Sequence, residues 1–282
     1  MIIKPNGEPG YSQERKRTMS QALTYTSYLR LNELLDLQTP RSAGLHGPEH
    51  DELLFIVTHQ VYELWFKVLL HELDALKEHL NTNETARILH TSSRILKILK
   101  TIVAQIDVLE TMTPLEFNAF RSLLGSASGF QSSQFREIEF VLGYKREAIL
   151  HHYPDEMASK KGLEERYQQP AVWDAFLHYL TLNGYTLPEE QLQRDVKESL
   201  KPSEQLQALL IEAYRYNAEV RNVCERLLDI DEGLQEWRYR HVKMVERTIG
   251  QKPGTGGSTG SRYLSTTLRP IFPDLWAIRS QL

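Results

Sequence analysis

Cysteine occurs once in the 282 residues, at Cys224, so the chain can form neither an internal disulfide nor a Cys-x-x-Cys metal or redox motif. A reducing, cytoplasmic setting is the expectation. Basic residues show no excess: 33 Lys and Arg face 37 Asp and Glu, a formal charge of −4. A field of that sign repels a phosphate backbone, which excludes nucleic acid as the main partner. Long hydrophobic runs are also missing. The opening segment has no apolar stretch of signal length, and the longest uncharged apolar run, Leu53 to Tyr62, is half a membrane span. A soluble, unprocessed chain with no membrane partner is therefore expected. Glycine is scarce at 15 residues, and alternating apolar stretches bounded by turn pairs are hard to find, which argues against a β fold.

Apolar residues instead recur at spacings of three and four, the signature of an all-α protein. The series Ile88, Ile95, Leu99, Ile102, Ile106, Leu109 is the buried stripe of a bundle helix that ends before Thr113. There Thr-Pro-Leu-Glu supplies an N-cap, Pro114 at the first helical position and Glu116 for a capping box, so a short helix runs to about Leu124 before Gly125. Cap signals predict further helices over 132–142, 170–182 and 203–228, and a last long helix follows. The polar stretch 153–202 reads as a smaller peripheral helical insertion that covers the core without building it. Residues 1–22 read as an N-terminal arm ahead of a single helical domain over 23–282. Residues 251–261, Gln-Lys-Pro-Gly-Thr-Gly-Gly-Ser-Thr-Gly-Ser, cannot hold a helix and form a loop, either a plain connector or a mobile lid with many backbone N–H groups.

Several common chemistries fail on spacing. None of the ten His has Glu three residues before it, which removes the di-iron bundle motif. His71-Glu72 has Ala75 where a zinc peptidase needs its second His, and Gly47-Pro48 breaks the geometry between His46 and His50. Gly256 to Gly260 matches Gly-x-Ser-x-Gly but lacks the preceding strand, and no Gly-Lys pair exists for a phosphate loop.

Two histidines and one arginine stand out. In the last long helix Ile230, Leu234, Trp237, His241, Val245 and Thr248 fall in one row, which turns the His241 imidazole into an apolar face. Such a group is either a neutral core histidine bonded to a carbonyl or an axial ligand to a haem iron. His59 shares a row with Phe55, Ile56, Tyr62 and Phe66, and core packing is again the plain alternative. Phe117 and Arg121 lie one turn apart and share a face, an aromatic surface beside a permanent cation. That pairing suits an aromatic amino acid, since a guanidinium grips a carboxylate through two parallel hydrogen bonds. The bland alternative is an ion pair with a neighbouring helix.

Four blocks resemble the tryptophan 2,3-dioxygenase family: LTYTSYLRLNELL from Leu23, HDELLFIVTHQVYELW from His50, FRSLLGSASGFQSSQFREIEFVLG from Phe120, and WRYRHVKMVERTIGQKPGTGGSTG from Trp237. The resemblance implies an all-α domain enclosing a haem b pocket, one haem per subunit. It also implies a homotetramer built as a dimer of dimers, and insertion of both atoms of O₂ into the indole ring of L-tryptophan to give N-formyl-L-kynurenine. It makes His241 the proximal iron ligand and His59 the distal residue near the indole N–H. It assigns Arg121 to the substrate carboxylate and Thr255 to the substrate's charged end. Phe55 and Phe117 line the indole pocket, with Ile56, Val57 and Thr58 of the same segment placed at the substrate. Ser128 faces the distal side. A neighbouring subunit's Tyr25, Tyr28 and Leu29 complete the pocket. Phe117 departs from the Tyr of many bacterial members, which removes a phenol hydrogen bond and keeps the apolar contact. The same scaffold also resembles haem-dependent hydroxylases of tryptophan or tyrosine derivatives. A non-enzymatic haem or amino-acid sensor is the alternative from another class.

Overall fold

Helix α4 (Thr85–Leu109) carries the apolar stripe at its expected spacing: Ile88, Ile95, Leu99, Ile102, Ile106 and Leu109 are all buried. In this computed structural model, which describes residues 22–44, 47–154, 158–254 and 264–282, that stripe is the axis around which the other helices pack. On one side lies α3 (His50–Asn81), joined to α4 by a tight turn in which Asn83 takes a left-handed conformation at φ 56°. On the other lies α11 (Ala218–Ile249), 32 residues long and so about 48 Å from end to end. The α4–α11 approach is close because Gly233 has no side chain: a Cβ there would lie 3.1 Å from Leu99 Cδ1.

The short helix α5 (Pro114–Arg121) begins as expected, with Thr113 Oγ1 accepting from Glu116 N and the Glu116 carboxylate accepting from Thr113 N. A 3₁₀ turn over Ser122–Leu124 leads to Gly125 at φ 57°. Helix α6 (Ser133–Leu142) is N-capped by Ser132 and stopped by Gly143 at φ 104°, and packs on α3. Among the described residues there is no strand, only an isolated bridge between Gly44 and Gly47. Helix α3 is long and apolar enough to cross a membrane by length and composition. Here it packs against α4, α6 and α8 through residues such as Phe66, Leu69, Leu73 and Leu76.

The structure corrects two expectations. Residues 203–228 do not form one helix. Helix α10 (Glu204–Tyr216) ends at Asn217, whose side chain accepts from Glu219 N and Val220 N and starts α11 afresh, while no break occurs near Leu228. An Asn ahead of an apolar row is a strong cap, and the row of α11 then runs through without interruption. Second, the stretch 153–202 contributes a core element. Helix α8 (Val172–Leu182) buries Trp173, Phe176, Tyr179 and Leu180 in the main cluster, with Trp173 stacked on Phe272 at 5.4 Å. Averaged over fifty residues, polar flanks hide this eleven-residue apolar helix. Only α7 (Ala158–Gln168) fits a covering role. It packs on α6 through Leu163 in a smaller cluster, and Lys145 Nζ donates to the carbonyls of Arg166, Tyr167 and Gln169 at its end. The chain divides into two compact units between Thr39 and Pro40.

The first of these two units contains α1 (Tyr25–Leu29), capped by Thr24, and α2 (Leu31–Leu34). Neither helix buries a residue, and Leu23, Tyr25, Tyr28, Leu35 and Leu37 are largely exposed. The second unit closes with α9 (Glu189–Leu192) leading toward α10, and α12 (Pro273–Ala277) followed by a 3₁₀ turn. One buried side chain ties this C-terminal segment down: Asp231 Oδ2 accepts from Ile271 N, Phe272 N and Trp276 Nε1 at 2.8–2.9 Å. Asp231→Ala leaves all three donors without that acceptor, two of them buried. It should lower unfolding free energy by about 3 kcal/mol or more and shift Trp276 emission, measured by urea titration.

Candidate active site

The row on α11 and the row on α3 meet over a cavity of about 1610 Å³, counting its open mouth. From α11 come Trp237, His241, Met244, Val245 and Thr248, at spacings of three and four apart from the adjacent pair Met244 and Val245, so one helix face supplies one wall. From α3 come Phe55, His59, Tyr62, Glu63 and Phe66 by the same logic. Helix α5 adds Phe117 and Arg121, the turn before α6 adds Ser128, and α6 adds Phe135, Arg136 and Glu139. His241, His59, Phe55, Phe117, Arg121 and Ser128, singled out in the sequence, all face this one space.

His241 stacks parallel on Trp237, with ring centroids 5.1 Å apart and planes 5° from parallel. Burial pushes its pKa down to about 4, and the nearby His59 and Arg136 add to the effect, so at neutral pH the imidazole is uncharged. Neither ring nitrogen has a hydrogen-bond partner among the described residues. The carbonyl-bonded core histidine of the plain reading is therefore not what α11 presents. His59 differs. Its Nδ1 lies 2.7 Å from the Phe55 carbonyl oxygen, and its ring packs on Phe55 at 4.1 Å. A carbonyl only accepts, so Nδ1 carries the proton. Burial lowers the pKa, partly offset by the Phe55 carbonyl and by Glu63, and the ring stays neutral with Nε2 an acceptor.

Phe55, Phe117 and Phe120 form an aromatic cluster with centroids 5.5–5.7 Å apart. Beside it Arg121 Nη2 donates to the Pro253 carbonyl at 2.6 Å, so the guanidinium bridges α5 to the backbone that follows α11. Among the described residues it is not paired with a carboxylate of a neighbouring helix, the bland alternative of the sequence reading. Ser128 Oγ accepts from Phe130 N at the turn before α6. Ile56, Val57 and Thr58 are not among the described residues that line the cavity. They follow Phe55 at successive steps of about 100° around α3, which leaves Val57 39% exposed and buries Thr58 away from the cavity. Tyr25, Tyr28 and Leu29 belong to the first unit and are exposed there. Thr255 lies outside the described residues, as does most of the loop 251–261.

The polar end of the cavity went unnoticed in the sequence. Glu139 is buried and accepts from Arg136 Nη1 at 2.6 Å, Arg146 Nη2 at 2.8 Å and Arg238 Nη2 at 2.9 Å. Burial alone would raise its pKa, and the guanidiniums hold it below the usual carboxylate range. Arg136 and Glu139 are three apart on α6, and Arg238 is three before His241, so the only signal was charge at positions facing inward on apolar rows.

Could this cavity hold haem? Among the described residues no three His, Cys, Asp or Glu side chains converge on a metal site. A lone imidazole can therefore hold a metal only when the metal arrives with most of its own ligands. The neutral, unpartnered His241 and the surrounding apolar walls suit that case, and so do arginines at one end for acidic substituents.

Both imidazoles bind protons more weakly in the fold than in the unfolded chain, where the ordinary pKa is about 6.5. Stability of the ligand-free protein should then be full above that pH and fall as pH drops toward 4, the folded value for His241. Thermal midpoints from pH 7.5 to 4 should show this fall, and His241→Gln should flatten it.

The sequence profile of the tryptophan 2,3-dioxygenase family matches residues 11–180 and 187–282, which includes most of the stretch 153–202. A tryptophan 2,3-dioxygenase of Herpetosiphon aurantiacus is 67% identical over 264 residues, covering 94% of this chain and all of the relative. One from Anaeromyxobacter dehalogenans is 54% identical, covering 93% and 97%. One from Pseudomonas fluorescens is 37% identical, covering 98% and 96%. With the all-α fold and a cavity walled by the residues quoted above, the chain belongs to the tryptophan 2,3-dioxygenase family.

Proposed function

We propose that the chain is a haem-dependent dioxygenase that converts L-tryptophan and O₂ to N-formyl-L-kynurenine, with His241 the axial ligand of one haem b per subunit. The observation that carries this reading is a neutral imidazole without a hydrogen-bond partner on the wall of a large apolar cavity. Bound there as ferrous haem, the cofactor would supply the iron at which O₂ is activated, with no external reductant needed for a dioxygenation.

The rest of the work belongs to the protein. Arg121 has five N–H donors and uses one on Pro253, which leaves a fork for the substrate carboxylate. Phe55 and Phe117 provide a flat apolar wall for the indole, and the phenyl at 117 gives contact without a hydrogen bond. His59, protonated on Nδ1 by its bond to Phe55, offers Nε2 as acceptor to the indole N–H. Its role is orientation, because an indole N–H is too weak an acid for easy removal and the neutral imidazole is a weak base. Thr255 would contact the charged end of the amino acid, and Ser128 would face the distal side. Holding ring and carboxylate at two fixed points converts an encounter into one reactive geometry.

The assembly proposed is a homotetramer, a dimer of dimers, in a cytoplasmic setting. Tyr25, Tyr28 and Leu29 support it: an amphipathic protein segment that buries nothing of its own is suited to a neighbouring copy's pocket.

Reduced, haem-loaded protein given tryptophan and air should form N-formylkynurenine, followed by absorbance and mass spectrometry; haem and tryptophan binding without O₂ consumption would leave a sensor instead. His241→Ala should abolish stoichiometric haem, and a normal five-coordinate ferrous spectrum in that variant would remove His241 as ligand. Arg121→Ala should raise KM for tryptophan by a factor equivalent to about 2 kcal/mol or more, with an unchanged KM overturning its role. His59→Ala should lower turnover while leaving a measurable residue, and complete loss would point to obligatory base chemistry.

A further inference from the structure

The buried cluster on Glu139 is not balanced in charge. Three guanidiniums, from Arg136, Arg146 and Arg238, share one carboxylate. The other acid on this side, Glu63 of α3, is taken by Gln134 Nε2 at 2.8 Å, so the two arginines that line the cavity, Arg136 and Arg238, share Glu139 as their one ion-pair partner among the described residues. Two of the three arginines, Arg136 and Arg238, line the cavity at 5% and 3% exposure. Each keeps a buried Nε–H with no acceptor among the described residues. A buried charge without its counter-ion is costly, and so is a buried donor without an acceptor. The charge deficit lies at one end of the cavity, while the two Nε atoms are themselves closed off from it.

The arginines are also held in place before any ligand arrives. The Arg136 guanidinium lies over the rings of Phe130 and Phe135, at 4.9 and 5.3 Å from their centroids. Arg238 is fixed by Glu139 on one nitrogen and by the Thr267 carbonyl on the other, at 2.9 Å each. Side chains fixed this way lose little freedom when an anion docks, and planar forks suit carboxylates.

We propose that Arg136 and Arg238, set in position by Glu139, form an anion-binding wall that takes the carboxylate groups of the macrocycle in this cavity. The inference rests on the haem reading above and adds which end of the cavity receives the acidic substituents. Arg238 lies three residues before His241 on α11, so one helix would orient the macrocycle in its plane as well as hold its metal. The substrate's carboxylate is a second source of the same chemistry, and Arg121 on α5 is the group assigned to it.

The test uses the full chain prepared without haem and two iron-free probes, protoporphyrin IX and its dimethyl ester, with binding read by quenching of tryptophan fluorescence. The wild-type chain should prefer the free acid by about tenfold or more, the scale of one charge-assisted hydrogen bond. Arg136→Met should lose most of that preference while binding the ester as before, and Arg136→Lys should recover part of it. Helical circular dichroism and retained ester affinity show that the variants are folded. If a variant fails to fold, the wild-type comparison of acid with ester still decides. Equal affinity for acid and ester would overturn the wall and leave the haem reading standing. Binding of neither probe would overturn both. Loss of tryptophan affinity in haem-loaded Arg136→Met, with the acid preference intact, would assign the wall to the substrate and overturn the proposal.

Discussion

The rotation of α11 about its own axis is the constraint on which the site depends. A helix turns by about 100° per residue, so a small rotation would carry His241 off the cavity wall. That rotation is set far from the site, where Gly233 lets α11 close on Leu99 and where Val223, Leu227, Ile230 and Leu234 are buried beside it. A longer side chain at 233 would force α11 away from α4, because close-packed interiors have no slack for it. Once α11 is seated, Trp237, Arg238 and His241 have only one direction available to each. The polar cluster acts at the other end of the same lever. Glu139 on α6 grips Arg238, so α11 is positioned by apolar contact along its first half and by charge along its second.

Two supports frame the cavity by different physics. The aromatic side, Phe55, Phe117 and Phe120, is held by ring contacts that tolerate a change of shape within it. The guanidinium side is held by short charge-assisted hydrogen bonds that do not. This division matches what a zwitterionic aromatic ligand and an acidic macrocycle would each need: a flat apolar surface for rings and fixed donors for carboxylates. Arg121 stands apart, tied to Pro253 and so to the backbone leading into the loop. Its position depends on that loop in a way that the positions of Arg136 and Arg238 do not.

Much of this was legible in the sequence because helices repeat. The α4 stripe, the Thr113 capping box and the rows through His59 and His241 each depend on spacing alone, and all lie where the spacing puts them. Errors arose where local rules compete. Asn217 is a poor interior residue and a strong cap, and only the observed backbone decides between one helix and two. Helix α8 was expected where it lies, but its core role was lost in a polar average, since burial of Trp173 and Phe176 depends on eleven residues and not on their neighbours. Within the segment Phe55 to His59 the helical period turns Phe55 and His59 to the cavity and Val57 to the surface. The arginine cluster was invisible for a different reason. Arg136, Glu139 and Arg238 are ordinary surface residue types, and their convergence is a tertiary fact that no local pattern carries.

His59 and His241 show how one residue type takes two roles. Both are buried enough to remain neutral, so charge does not distinguish them. Hydrogen bonding does. The Phe55 carbonyl fixes the His59 proton on Nδ1, and the ring can then only accept at Nε2, a fixed polarity suited to receiving an N–H. His241 has a flat partner, Trp237, in place of a hydrogen bond, so its plane is set while its tautomer is left open. In a neutral imidazole one nitrogen carries the proton and the other holds the lone pair that a metal would take. No carbonyl among the described residues fixes the proton of His241, so either nitrogen could serve. The chemistry of the two sides of the cavity is thus decided by the backbone and the indole next to each imidazole.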